Sequence, residues 1–297
     1  MSVIYLNGKM MPLEHAHLAA NDRGYLLGDG LFETIRVYAG HPFELERHIA
    51  RLYDSAKRVR IELPETPGEM MRAAQDCVAA NGGGDATKVD ASLRISISRG
   101  PSEGGLSLDS SAEPTRVIWC RPVTPIKPET YLSGVSCVVA RIPNRRFDPR
   151  AGIKSLSYLD LLLHKDAAVA QGAFEAILVD EDGFVVEGAT SNVFVAKDGR
   201  IATPPLSRGP LPGIAREVVL ELAAESAIRA DERDLTLDDI HAADEIFLTS
   251  SNVEVLPVSY LLDLSVIKNN KPEIAARLRG AYSARVEATR GGGNQDR

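Results

Sequence analysis

Gly152-Ile153-Lys154-Ser155-Leu156-Ser157-Tyr158 decides how this chain is read, because a short apolar segment runs there into a long leucine-striped stretch with a lysine at the junction. Downstream stands Glu187-Gly188-Ala189-Thr190-Ser191-Asn192, a carboxylate that ends an apolar run at a glycine turn. A lysine held at the mouth of a helix can form a Schiff base with an aldehyde cofactor, and a carboxylate on a nearby turn can keep a pyridine ring protonated. Each residue also has a plainer reading, Lys154 as a solvated surface lysine and Glu187 as the polar end of a strand.

Outward from this stretch, Leu156, Leu159, Leu163 and Ala167 recur at helical spacing, which predicts a helix over 155–171 with that stripe buried and Gly172 as its left-handed cap. Two hairpins follow, 175–179 with 184–187 and 193–196 with 201–203, around Asp180-Glu181-Asp182-Gly183 and Lys197-Asp198-Gly199-Arg200. Helices at 213–225 and 237–242, a strand at 135–140 and an apolar strand at 245–248 make this part strand-rich. Upstream, a strand at 3–6 meets Asn7-Gly8, and a second at 31–38 ends at Ala39-Gly40. Amphipathic helices at 44–60 and 69–80, the latter closed by Asn81-Gly82-Gly83-Gly84, precede strands at 91–98 and 116–120. Pro122, Pro125 and Pro128 place an interdomain linker at 121–129. It separates a small N-terminal α/β domain, 1–120, from a larger C-terminal domain, 130–290, and 291–297 reads as a disordered tail.

A chain of 297 residues, 44% hydrophobic and 25% charged, is an ordinary globular sequence with ample core. Its net charge of −7 argues against nucleic acid or anionic lipid as a partner and favours small metabolites. Cys77, Cys120 and Cys137 are widely spaced with no C-x-x-C pair, which predicts neither a disulfide framework nor a metal site and fits a reducing cytoplasm. The opening Met1-Ser2-Val3-Ile4-Tyr5 reads as a strand rather than a leader, and no apolar run nears the roughly 20 residues of a membrane span, so a cytoplasmic location is expected.

Further candidates come from anion chemistry. Leu211-Pro212-Gly213-Ile214-Ala215-Arg216 starts a helix with small residues, so the N–H groups of Ile214 and Ala215 can hold a phosphate. Thr249-Ser250-Ser251-Asn252 offers hydroxyls to the same anion, and Arg51, three residues after His48, can supply a guanidinium fork. Most helix starts and polar loops bind nothing, and a rim arginine is the alternative for Arg51. Arg36 and Arg94 are candidates for a substrate carboxylate, with structural ion pairs as the alternative. For Arg141, Arg145 and Arg146 the expectation is a solvated loop.

The ordered set moves the odds. Asp22-Arg23-Gly24, Gly28-Asp29-Gly30-Leu31-Phe32-Glu33-Thr34-Ile35-Arg36, the His48 to Arg51 segment, Ile153-Lys154-Ser155-Leu156 with Tyr158-Leu159, Glu175-Ala176-Ile177, Glu187-Gly188 with Asn192-Val193-Phe194, and Pro212-Gly213-Ile214 stand in the order of one family. Over about residues 3–258 the chain resembles the class IV, fold-type IV pyridoxal-phosphate enzymes: branched-chain amino acid transaminases, D-amino acid transaminases and aminodeoxychorismate lyases. The resemblance implies an α+β fold of two mixed α/β domains with pyridoxal 5′-phosphate between them, and a homodimer whose active sites are shared. It implies that Lys154 is the catalytic residue, bonded to the cofactor and shuttling the proton. Glu187 would face the pyridine nitrogen, and Tyr158, one helical turn beyond Lys154, would donate to the phenolic oxygen. Arg51, Ile214, Ala215, Ser250 and Ser251 would hold the phosphate, although relatives often have Thr where Ala215 stands.

Substrate positions are mixed. Phe32 replaces the tyrosine of D-amino acid transaminases, and the Arg-x-His pair of that group is not evident after Gly100. Thr34 resembles the lyase, whose arginine is absent around Glu103, whereas Arg36, Arg94 and the run after Lys154 resemble branched-chain enzymes, which usually carry tyrosine at Ser92. The expectation is a ping-pong transaminase that moves an amino group from an apolar or branched L-amino acid to 2-oxoglutarate or pyruvate. The alternatives are an aminodeoxychorismate lyase and a D-amino acid or (R)-amine transaminase.

Overall fold

Asn7 and Gly8, at φ of 47° and 90°, reverse the chain between β1 (Val3–Leu6) and β2 (Lys9–Pro12), in the left-handed pair that a tight hairpin requires. The computed structural model describes residues 2–82, 89–108, 113–262, 266–267 and 272–291. Its chain divides into two compact units, one formed by the described residues of Met1–Thr124, Ile153–Tyr158 and Val286–Arg297, the other by those of Pro125–Gly152 and Leu159–Arg285. Pro122 closes a strand and Pro128 opens a helix at its first position, where no N–H is needed.

The first unit continues with α1 (Arg23–Leu27), β3 (Gly30–Tyr38), β4 (His41–Pro42), α2 (Leu45–Arg58), α3 (Pro67–Ala80), β5 (Ala91–Ser98) and β6 (Thr115–Pro122). Among the described residues its strands form one antiparallel sheet in the order β2-β1-β6-β5-β3-β4. Period-two alternation gives that sheet two unlike faces. Leu31, Ile35, Val37, Leu93, Ile95, Ile97 and Ile118 pack with Leu45, Ile49, Leu52 and Ala56 of α2 and Met70, Ala74, Cys77 and Val78 of α3. Each large apolar side chain buried there contributes about 1.5–3 kcal/mol relative to exposure. On the other face the register pairs Thr34 with Arg94 and Trp119, Arg36 with Ser92 and Arg121, and Phe32 with Ser96. Of the expected helix closure, Asn81 and Gly82 form a turn, while Gly83 and Gly84 lie outside the described residues.

Ile153–Tyr158 belongs to the first unit because its backbone extends the end of β3. Phe32 N–H donates to Lys154 O at 2.9 Å, Leu156 N–H donates to Gly30 O at 2.9 Å, and Leu31 bridges Ser155. Gly30 makes the approach possible: a Cβ there would lie 2.2 Å from Ile97 O and 2.6 Å from Leu156 Cδ1.

The second unit contains α4 (Pro128–Ser133), β7 (Val135–Ile142), α5 (Leu159–Ala170), β8 (Glu175–Asp180), β9 (Val185–Gly188), β10 (Asn192–Lys197), β11 (Arg200–Thr203), α6 (Ile214–Glu225), β12 (Ala230–Glu232), α7 (Leu237–Ala242), β13 (Glu245–Ser250), β14 (Glu254–Leu261), β15 (Val266–Ile267) and much of α8 (Glu273–Gly291). Its strands run β12-β11-β10-β13-β14-β7-β8-β9, with β15 beside β14. The pairs β7 with β8, β7 with β14 and β11 with β12 are parallel. Ile177, Val179, Val185, Val193, Ile246, Leu248 and Leu256 form its core.

One expectation is corrected here, and a second element had not been expected at all. The helix expected over 155–171 starts only at Leu159, since the residues from Lys154 to Leu156 spend their backbone groups on β3. Its supposed buried stripe faces outward, with Leu159 67% and Leu163 60% exposed, because the inward line of α5 is Leu161 and Ala168 against Val138, Ile142, Ala176 and Leu178. The second is α8, which no expectation covered; Ala275, Leu278 and Tyr282 bury its inner side, and Glu245 accepts the N–H groups of Ile274 and Ala275 at 2.9 and 3.0 Å. Gly291 ends that helix, and the rest of the expected tail, 292–297, lies outside the described residues. Among the described residues no helix is long and apolar enough to cross a membrane.

A buried carboxylate sits on the apolar face of the first sheet. Glu33, 1% exposed, accepts Arg51 Nε at 2.8 Å and Arg51 Nη2 at 2.6 Å, with His48 Nδ1 2.8 Å from its second oxygen. Burial pushes the Glu33 carboxyl up, but the Arg51 charge and the His48 and Arg51 hydrogen bonds outweigh it and hold the group at about 2. A depressed carboxylate pKa contributes stability above its unfolded value that is lost as pH falls through the folded one. Acid unfolding followed by circular dichroism should therefore show a loss between the ordinary 4.5 and about 2, with Glu33 supplying up to about 3 kcal/mol of it. Glu33→Gln should lower stability at neutral pH, and its deficit against the native chain should shrink across that window; a deficit independent of pH would contradict the assignment.

Candidate functional site

In the first unit the extended backbone at Lys154 carries its side chain to the rings of Phe32 and Tyr158. Lys154 Nζ lies 4.7 Å from the Phe32 ring centroid and 5.9 Å from that of Tyr158, and the two rings meet edge to face at 5.3 Å and 85°. Tyr158 was expected one helical turn beyond Lys154. It precedes the helix instead, in a turn where its N–H donates to Leu156 O at 2.8 Å, and it reaches the same place through the Phe32 ring.

The three arginines of the Phe32 face of the sheet differ in what holds them. Arg36 is tied to Val37 O at 2.8 Å and Ala91 O at 3.1 Å, lies 3.8 Å from Asp90 and stacks on Tyr38 at 4.6 Å. Arg94 stacks 3.9 Å over Phe32 and donates through Nε to Ser96 Oγ at 3.0 Å; among the described residues it has no carboxylate partner. Burial first and the neighbouring Arg121 charge second pull Arg94 below the ordinary guanidinium value. Arg121 lies beside Trp119 at 5.7 Å, again without a carboxylate. Thr34 stands cross-strand from Arg94, half-buried. Arg51, on α2, grips Glu33, and the Lys154 charge is felt by the neighbouring His48.

In the second unit Glu187, 6% exposed at the end of β9, is held from two sides: Leu211 N–H donates to Oε2 at 3.0 Å and Arg145 Nη1 to Oε1 at 2.9 Å. Arg145 also reaches Asp160 at 3.3 Å, so the expectation of a solvated loop is wrong for this residue. Gly209, at φ 89°, admits the Arg145 backbone, since a Cβ there would stand 2.8 Å from Arg145 Cβ. The turn after Glu187 is fixed by buried Glu175, which accepts Thr190 Oγ1 at 2.5 Å and Thr190 N–H at 3.1 Å.

Leu211 continues into the start of α6. Its carbonyl accepts Asn192 Nδ2 at 2.9 Å, and a Cβ on Gly213 would stand 2.0 Å from Asn192 Oδ1. Gly213 is the N-cap, with no side-chain cap on the N–H groups of Ile214 and Ala215. Asn192 pairs in register with Thr249, whose buried Oγ1 has no hydrogen-bond partner among the described residues, and Ser250 and Ser251 follow, half-buried. An uncapped helix start, a glycine whose Cβ space is filled and an unsatisfied hydroxyl fit a phosphate dianion. A lysine amine beside two aromatic rings, and a carboxylate with both oxygens fixed, fit the aldehyde and ring of a pyridoxal cofactor. Among the described residues no group of three His, Cys, Asp or Glu is placed to hold a metal.

Glu33, His48, Arg121, Arg145, Asn192 and Thr249 were missed as site residues. Glu33, His48, Asn192 and Thr249 stood within motifs already quoted, Arg145 was assigned to a solvated loop, and Arg121 is set beside Arg94 by strand register.

The family model for class IV amino-transferases matches residues 30–261. The putative branched-chain-amino-acid aminotransferase of Methanocaldococcus jannaschii is 39% identical over 280 residues, 94% of each chain. The D-alanine aminotransferase of Bacillus licheniformis is 36% identical over 260 residues, 87% of this chain and 88% of that one. The T.th. branched-chain amino acid aminotransferase with pyridoxamine 5′-phosphate superposes with a TM-score of 0.87 at 30% identity, over 98% of this chain and 94% of that one. The match over residues 30–261 and the 39% identical relative make the protein a member of the class IV aminotransferases, pyridoxal-phosphate-dependent transaminases of the fold-type IV class.

Proposed function

We propose that the enzyme transfers the amino group of an apolar, branched L-amino acid to 2-oxoglutarate by a ping-pong mechanism. The observation that carries this reading is Arg94, a half-buried guanidinium over Phe32, on the ring that Lys154 also approaches, with Arg121 as the neighbouring charge and no carboxylate partner among the described residues. A guanidinium pair of this kind takes the second carboxylate of a dicarboxylic acceptor, while Phe32 and Trp119 offer apolar surface to a branched side chain.

Pyridoxal phosphate supplies an aldehyde that condenses with amines and a ring that accepts the electron pair left at the substrate Cα. The rest falls to the chain. The Lys154 amine takes and returns the Cα proton. Glu187, its oxygens fixed by Leu211 and Arg145, holds the proton on the pyridine nitrogen, and Tyr158 donates to the phenolic oxygen. Arg51, the N–H groups of Ile214 and Ala215, and the hydroxyls of Ser250 and Ser251 hold the phosphate, joined by Thr249. A second reading, transfer from D-amino acids, draws support from the Bacillus licheniformis relative. The lyase reading keeps Thr34 as its support, a hydroxyl on the same sheet face as Phe32.

The proposal includes a homodimer. Tyr25 and Leu26 of α1 are 79% and 55% exposed and Leu106 is 80% exposed, while Arg23 Nη1 ties the neighbouring Gly105 carbonyl to α1. Exposed apolar side chains gathered in this way are the usual material of an interface. Light scattering should give the mass of two chains, and Leu106→Glu with Leu26→Glu should move it toward one; a native mass of one chain removes this part of the reading.

The cofactor's visible band should be discharged by L-leucine and restored by 2-oxoglutarate, while Lys154→Ala should lose roughly 10²–10⁴-fold or more in rate. Discharge by D-alanine alone would favour the second reading, and release of pyruvate from aminodeoxychorismate with no discharge by either amino acid would favour the lyase. Arg94→Met should raise KM for 2-oxoglutarate by about tenfold or more and leave KM for pyruvate nearly unchanged, with a smaller effect for Arg121→Met. Equal effects on both acceptors would remove Arg94 from the second-carboxylate role.

A further inference from the structure

Glu33 stands on the sheet face that otherwise carries Leu31, Ile35 and Val37, and a carboxylate there is an expensive choice for a core position. Replacing a whole buried ion pair by apolar side chains of similar size is often neutral or stabilising, so the stability that Glu33 supplies beside Arg51 does not by itself require a charged pair here. What the pair does is geometric. Arg51 Nε and Nη2 engage the two Glu33 oxygens at 2.8 and 2.6 Å, a fork-to-fork contact that fixes both the direction and the plane of the guanidinium. His48, 2% exposed and one helical turn before Arg51, places Nδ1 2.8 Å from Glu33 Oε2 and prevents the carboxylate from turning.

We infer that Glu33 is a positioning residue for recognition of the cofactor's phosphate, acting through Arg51, with His48 as the second anchor of its carboxylate. This rests on the reading that Arg51 contacts the phosphate. A free arginine loses side-chain freedom when it binds an anion; one already held in its bound orientation does not, and the affinity gained belongs to the phosphate alone. The charge of Glu33 acts in the opposite direction, because a carboxylate beside the fork repels a dianion. The sign of the effect therefore separates the two roles. If Glu33 positions Arg51, removing its charge weakens phosphate binding; if Glu33 only adds a charge to the surroundings, removing it strengthens phosphate binding.

The experiment titrates the full-length chain, stripped of cofactor, with pyridoxal 5′-phosphate and with pyridoxal, following absorbance, and takes the ratio of the two dissociation constants as the phosphate preference. Glu33→Gln should lower that preference by about tenfold, Arg51→Met should lower it further, and the double variant should be no worse than Arg51→Met. Glu33→Asp, which keeps the charge but withdraws the carboxylate by one methylene, should lower it in part and serves if Glu33→Gln does not fold. A preference unchanged or raised in Glu33→Gln, or unchanged in Glu33→Asp, overturns the inference, as do losses that multiply in the double variant. A preference unchanged in Arg51→Met shows instead that Arg51 does not contact the phosphate, and the inference falls with that reading.

Discussion

Two backbone hydrogen bonds, Phe32 N–H to Lys154 O and Leu156 N–H to Gly30 O, are the constraint on which the rest of the site depends. They hold Lys154 in extended conformation on the edge of β3, so the position of its amine is set by a sheet rather than by a helix end. Sheet backbone is the more exact support, since a strand hydrogen-bonded on one side cannot swing without losing its ladder. Gly30 is part of the same arrangement because any Cβ would push the segment away from β5 and β3. The late start of α5 follows too, since groups bonded to β3 are not available for a helix.

The second unit solves a related problem with a short irregular segment. Leu211 gives its N–H to Glu187 and its carbonyl to Asn192, and two residues later Gly213 caps α6. The carboxylate proposed for the ring nitrogen and the helix start proposed for the phosphate are thus tied to the two ends of one peptide unit and its neighbour. A shift at either is felt at the other, because a buried polar network loses a full desolvation penalty for each bond left unmade. Arg145 adds charge to that network and ties it, through Asp160, to the first turn of α5.

How much of this was legible follows from the range of each determinant. Strands β5 and β3, helices α3 and α7 and the two hairpins after Gly172 are governed by alternation, capping and turn residues within a few positions, and the sequence carried them. Lys154, Glu187 and the Gly213 helix start were also visible, because each stands beside a local break in pattern. α5 was misread because its leucines satisfy a helical period on the wrong side: Leu159 and Leu163 are exposed while Leu161 and Ala168 face the sheet. α8 has the spacing Ala275, Leu278, Tyr282, but small and charged residues dilute it. Which arginine is committed cannot be read locally at all. Arg36 is satisfied by Asp90 and by the carbonyl of Ala91, and Arg94 is not, a difference created by strand register.

That register also bears on how a chain with a net charge of −7 could take the acidic acceptor proposed for it. Net charge governs the far field, and at physiological ionic strength charges further away than about 8 Å are largely screened. In the proposed reading an incoming carboxylate meets the face built from Phe32, Thr34, Arg36, Ser92, Arg94, Ser96, Trp119 and Arg121, whose strand positions contain three arginines and no acid. One of those charges is already neutralised by Asp90, and the two that lack a carboxylate partner among the described residues are the neighbours Arg94 and Arg121. The Arg121 charge disfavours the charged form of half-buried Arg94, and an anion bound there would relieve it, as the proposed dicarboxylic acceptor requires.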